Sequence, residues 1–215
     1  MENKNLIIVA VAIVAIAVIV GAIFATGVLN KTEERTTTSF SNAFMEGAFT
    51  GNVKLANNSS DFMQSYEDSE HSITYNISTV DNSTALMDIY YVQGVTNPEH
   101  RSYNGNDWNI YFTQAIQGND TNKTMNIIIC QSQGEKQGYL IYMIIDSKTD
   151  LNVSGNAFGE PYKSYIEPLL KSLTLKESSN VPAINDEFGL SESEFSQQME
   201  LIQQYKAGNT SALQG

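Results

Sequence analysis

His71 and His100 are the only histidines in the 215-residue chain, and Cys130 is the only cysteine. Nucleophilic catalysis needs a base within reach of the nucleophile and a third group to orient that base. Cys130 closes the apolar run MNIIIC, where a free cysteine behaves as a small hydrophobe. His71 lies in the polar run SYEDSEHS beside Glu67, Asp68 and Glu70. Glycosidase chemistry needs two carboxylates flanking one bond, a geometry that spacing along a loop does not establish. Asp146, Asp150 and Asn152 offer oxygen ligands but lack the glycine and closing glutamate of a calcium loop. Neither a GxSxG elbow nor an HExxH helix is present, and no GxGxxG or Gly-Lys-Ser/Thr loop cradles a phosphate. Tyr103, Trp108 and Tyr111 can stack on a sugar or peptide, or line a pleated sheet with Trp108 in the core. No cofactor and no metal site is expected. A non-enzymatic chain is the leading reading, and an envelope hydrolase using an acidic pair or a Cys–His pair is the alternative.

The chain that positions these groups begins with an apolar run. From Leu6 to Leu29 there is no charge, and Ile and Val cover every face. A helix of this length extends about 36 Å against a hydrocarbon core of about 30 Å, so residues 6–29 are expected to span a membrane as an uncleaved anchor. The run exceeds the apolar stretch of a cleavable signal, about 7–15 residues. Residues 1–5 form a short tail. Only Glu2 and Lys4 precede the run, so the formal charge of −12 belongs entirely to the chain after it. Such acidity excludes nucleic acid as a partner, since phosphate recognition needs a basic face.

Asn-x-Ser/Thr occurs at Asn30, Asn57, Asn58, Asn76, Asn82, Asn119, Asn122, Asn152 and Asn209. Composition alone gives roughly four such triplets, so the excess points to a glycosylated surface outside the cytoplasm. The expected location is the cell membrane, single-pass, with the bulk of the chain outside. The expected partners are the bilayer and an unidentified protein or glycan.

Residues 30–39 are expected to form a juxtamembrane spacer, and residues 40–176 an α+β domain. Ile73, Tyr75 and Ile77 alternate with polar residues at the period of a strand, and 85–94 reads as its hairpin partner. Trp108, Ile110 and Phe112 mark another strand. The runs 125–130 and 139–145 are apolar on both faces and belong in the middle of a covered sheet. Tyr162, Tyr165, Ile166, Leu169, Leu170 and Leu173 fall on one helical face, with Pro168 expected to kink or divide the helix. LTLKE is read as a final strand. Residues 177–190 read as a linker. Ser191 and Glu194 then form a capping box, with Leu190 and Phe195 as a hydrophobic staple, and a C-terminal helix follows within 191–207. Its stripe of Phe195, Met199, Ile202 and Tyr205 either docks on the domain or binds a partner.

The order of anchor, AFMEGAFTGNVKL, YEDSEHSITYNIS, two apolar strands and EPYKSYIEPLLKSLTL resembles small anchored surface proteins of methanogenic archaea. Their extracytoplasmic domain is similar to the PsbP-like fold. The resemblance covers roughly residues 1–176 and implies an antiparallel sheet packed with a helix, and a binding or assembly role. It carries no functional residues across, and the C-terminal helix departs from the pattern.

Overall fold

The computed structural model describes residues 36–57, 59–116, 124–146 and 161–213. The expected anchor at 6–29 lies outside them. Among the described residues, no helix is long and apolar enough to cross a membrane.

The fold is α+β, built on a seven-stranded antiparallel sheet. Its strands run β3 (Lys54–Leu55), β4 (Met63–Asp68), β5 (Ile73–Val80), β9 (Gly138–Asp146), β8 (Thr124–Gln133), β7 (Asn106–Ile116) and β6 (Glu99–Tyr103) across the sheet. The two strands expected to be central, β8 and β9, are central, and each buries both faces. A sheet apolar on both sides has to be covered twice.

One cover is a three-stranded sheet, β1 (Thr37–Ser41), β2 (Met45–Thr50) and β10 (Thr174–Leu175), together with the chain from Tyr162 to Ser172. Phe40, Phe49, Tyr66 and Tyr75 form a continuous aromatic cluster there, with Phe40 stacked on Phe49 at 4.6 Å. The spacer reading of 30–39 is corrected at its end, because Thr37–Ser39 pair with β2. The β-branched Thr37 and Thr38 suit a pleated edge, and Phe40 fixes the register by entering the core.

Pro168 divides the helical segment as expected. Tyr162–Ile166 is a π-turn, and an α-helix starts at Glu167 with Pro168 in its first turn, where a missing N–H is harmless. Ser172 Oγ accepts from Ala48 N and ties this segment to β2.

The other cover overturns the hairpin reading of 85–94. Ser83–Val92 is an α-helix, here α1, with Asn82 as N-cap accepting from Ala85 N. Ala85, Leu86, Ile89 and Tyr90 are buried at helical spacing, so tertiary burial of one face wins over the β-propensity of IYYV. Ile184–Glu187 (α3) and Glu192–Lys206 (α4) pack beside α1; the helix Glu167–Ser172 is α2.

Residues 177–190 are not a free linker. Ile184 and Phe188 are buried, Ile184 N donates to Asp81 Oδ1, and Ser178 N donates to Gln137 Oε1. The capping box at Ser191 and Glu194 is present. Phe195 and Ile202 are buried in the same core as α1, and Met199 packs against it. Gln203 and Lys206 both reach Asp88 on α1. The stripe offered as a partner surface is therefore mostly spent within the fold.

Candidate functional site

β6, β7 and β8 leave a cleft where α1 begins, on the α1 face of the large sheet. Strand register determines its lining. His100 lies opposite Asn109, Ser102 opposite Asp107, and Asn109 opposite Gln131. Directly paired residues share a face, so all five side chains project to one side. Thr84 from the first turn of α1 and Gln133 complete a cavity of about 440 Å³.

The floor of this cleft is a buried polar network. Asn109 Nδ2 donates to Gln131 Oε1 at 2.7 Å, and Gln131 Nε2 donates to Ser83 Oγ at 2.9 Å. Ser83 Oγ donates onward to Ser132 O at 3.1 Å and Gln133 Oε1 at 2.9 Å, and Gln133 Oε1 also accepts from Ser83 N. Ser83 is fully buried and Gln131 is 2 % exposed. Networks satisfied this fully are rigid, and they hold the outward-facing amide and hydroxyl groups in fixed positions. Ser102 Oγ bonds Asp107 Oδ1 at the rim. Asp107 is the one carboxylate of the lining, while Arg101, opposite Trp108 in register, pairs with Glu99 at 3.7 Å. Hydrogen bonding, not charge or apolar area, is what it offers a ligand.

The groups singled out from the sequence do not converge on this cleft. Cys130 is fully buried on the opposite face of β8, among Ile128, Ile141 and the Tyr162 segment. Burial alone pushes its thiol pKa far up, so no thiolate is available at neutral pH. A Cys130–His100 pair is excluded by the sheet between them, and a reactive Cys130 with any histidine is excluded by burial. Glu67 and Asp68 are neighbours on β4 and face opposite sides, so they do not flank one bond. Asp150 and Asn152 lie outside the described residues, as does the Asp146 side chain.

Trp108 is 1 % exposed and Tyr111 is buried on the other face, so the aromatic trio forms no stacking platform. Tyr103 instead shares a hydrogen bond with Tyr162 at 2.8 Å.

His71 meets Asp68. Its Nδ1 lies 2.8 Å from Asp68 Oδ2, while Asp68 Oδ1 accepts from the backbone N–H groups of Glu70 and His71. The Asp68 side chain is wholly buried and that of His71 is 37 % exposed. This pair sits at the β4–β5 turn, on the opposite face and at the opposite end of the sheet from the cleft.

The glycosylation candidates separate by burial. Asn57, Asn82 and Asn209 are exposed. Asn76 is 3 % exposed, in the central part of the sheet, with its Oδ1 accepting from Ser65 Oγ. A glycan does not fit there, and Asn76 is withdrawn as a site. Asn30, Asn58, Asn119, Asn122 and Asn152 lie outside the described residues.

Sequence reasoning missed Ser83, Asn109, Gln131 and Gln133. The available signal was the face of β8 that reads Ile127, Ile129, Gln131, Gln133, a period-two row turning from apolar to amide and buried as far as Gln131.

No protein-family model matches the chain, and no curated protein matches it. Among solved structures, a crystal structure from Bacteroides thetaiotaomicron VPI-5482 is similar with a TM-score of 0.43 and 8 % identity. The match covers 79 % of this chain and 58 % of that one, so the chain spans a little over half the length of its structural neighbour.

Proposed function

We propose that this protein is a membrane-anchored binding module that works outside the cytoplasm, held by residues 6–29 and acting without catalysis. The observation that carries the binding role is the Asn109–Gln131–Ser83–Gln133 network beneath the polar cleft, buried at Ser83 and Gln131. Thr84, His100, Ser102 and Asp107 around this amide and hydroxyl floor suit a hydroxyl-rich group such as the end of a glycan. The run of uncharged Ile and Val at 6–29 and the sequon excess support the anchored, outward-facing arrangement. The likeness in order and texture to anchored archaeal surface proteins with a PsbP-like domain supports the same reading. So does the double-covered antiparallel sheet.

The test uses the full chain in detergent micelles, titrated with glucose, galactose, mannose and N-acetylglucosamine while side-chain amide resonances are followed. At least one sugar is expected to shift Asn109 and Gln131 saturably. His100→Ala is expected to weaken that binding about tenfold, the worth of one or two hydrogen bonds. Amide resonances unmoved by all four sugars at about 50 mM would overturn the reading of the cleft.

A further inference from the structure

The Asp68–Glu70–His71 turn has no part in the cleft, and its chemistry differs. One ligand atom from each residue can be chosen so that all lie within 4.8 Å of one another. We propose that Asp68, Glu70 and His71 form a binding site for a transition-metal dication of the zinc type.

The geometry supports this in three ways. Asp68 Oδ2 and His71 Nδ1 lie 2.8 Å apart, and an opening of roughly 0.5 Å, to about 3.3 Å, lets both ligate one tetrahedral ion at about 2.0–2.1 Å each. The ion takes the place of the proton now shared between them. Asp68 is already aimed by two backbone N–H groups on its other oxygen, the outer-shell support that ligating carboxylates require. Gly51 leaves the room for it. A Cβ there would lie 2.5 Å from Asp68 Oδ2, and its φ of +107° further favours glycine.

A second observation comes from Tyr75. Its hydroxyl is buried without a hydrogen-bond partner among the described residues. Tyr75 lies two residues beyond Ile73, the register partner of Asp68, so both side chains enter the same side of the sheet. Three protein ligands leave zinc one open tetrahedral position for water. Imidazole nitrogen with two carboxylates suits zinc and its neighbours, whereas calcium takes six to eight oxygens. Glu70 is exposed and His71 half-exposed, so an ion enters from solvent.

Zinc chloride titrated into the chelator-stripped, untagged full chain tests the site, read by the His71 ring-proton resonances and by Tm. A saturable one-to-one change at His71 is expected, with Tm rising by about 5–10 °C at zinc roughly a hundredfold above Kd. Glu70→Gln and His71→Ala are each expected to weaken binding at least about tenfold while the metal-free Tm stays within a few degrees. His100→Ala should leave it unchanged. Absence of a saturable change, equal binding by His71→Ala, or the same response to calcium chloride would overturn the proposal. None of these outcomes depends on what the cleft binds.

Discussion

A chain ending at Lys176 is expected not to fold. It keeps every strand of the large sheet yet loses α3 and α4, which cover one of its faces. Ile184, Phe188, Phe195 and Ile202 are each at most 9 % exposed and belong to the core that α1 shares with Ile127, Ile129 and Ile144 of the sheet. Burying one such side chain contributes about 1.5–3 kcal/mol, so their loss removes roughly 6–12 kcal/mol as an upper estimate. Total stabilities lie around 5–15 kcal/mol, so little or nothing remains. Far-UV and near-UV circular dichroism check this. The truncated chain should lose near-UV ellipticity and a cooperative melt. A cooperative melt within a few degrees of the full chain would show that residues 177–213 are an appendage. A gentler variant, Ile202→Ala, should cost about 2–5 kcal/mol and remain folded.

Gly138→Ala is expected to strike the floor of the cleft with comparable force. Gly138 opens β9 opposite Gln133, and Thr79 Oγ1 donates to its carbonyl at 2.8 Å. A Cβ added there would lie 2.0 Å from Ser83 Oγ and 2.3 Å from Ser83 Cβ, distances no packed atoms tolerate. Ser83 is fully buried at the start of α1, so it yields only if the helix shifts. Overpacking of this kind costs about 1–3 kcal/mol, and breaking the Ser83 hydrogen bonds adds about 1–3 kcal/mol. At about 2–4 °C per kcal/mol, the melting temperature should fall by roughly 5–20 °C. The double variant Gly138→Ala with Ser83→Gly restores space but not the hydrogen bonds, so it should recover part of the loss. A thermal melt of both variants and of Ser83→Gly alone separates the two terms. Gly138→Ala melting with the parent would mean that α1 does not sit on the β8–β9 turn as described.

What the sequence revealed follows from how local each signal is. α4 was legible because its capping box, staple and stripe all lie within about 17 residues, and each is satisfied without help from elsewhere. The break at Pro168 was equally local. β8 and β9 announced their central place by being apolar on both faces. Ser83–Val92 was misread because the preference of Ile89, Tyr90 and Tyr91 for strands competed with a helix pattern that begins at an Asn N-cap. The decisive term, burial of Ala85, Leu86, Ile89 and Tyr90 in a core shared with β8, β9, α3 and α4, comes from residues roughly forty to a hundred and twenty positions later. Residues 177–190 looked like a linker for the same reason, since Ile184, Phe188 and the hydrogen bonds to Asp81 and Gln137 that anchor them all depend on distant partners.

The cleft was invisible because Ser83, Ser102, Asn109 and Gln131 meet only through sheet order. The Asp68–His71 contact was within sight along the chain, but the burial of Asp68 depends on β2 closing over it at Gly51. That depth distinguishes an oriented pair from a solvated acidic loop.

The proposed placement of the domain outside the cytoplasm can be tested with thiol labelling, because the chain has a single cysteine. Cys130 is fully buried, and burial raises its thiol pKa, so the parent protein should stay unlabelled by a membrane-impermeant maleimide. Asp61→Cys, at an exposed turn before β4, adds one reactive thiol without touching either core. On intact cells this variant is expected to label as fully as it does after lysis, while the parent labels in neither. Labelling of Asp61→Cys only after lysis would place the domain inside and contradict a surface binding module.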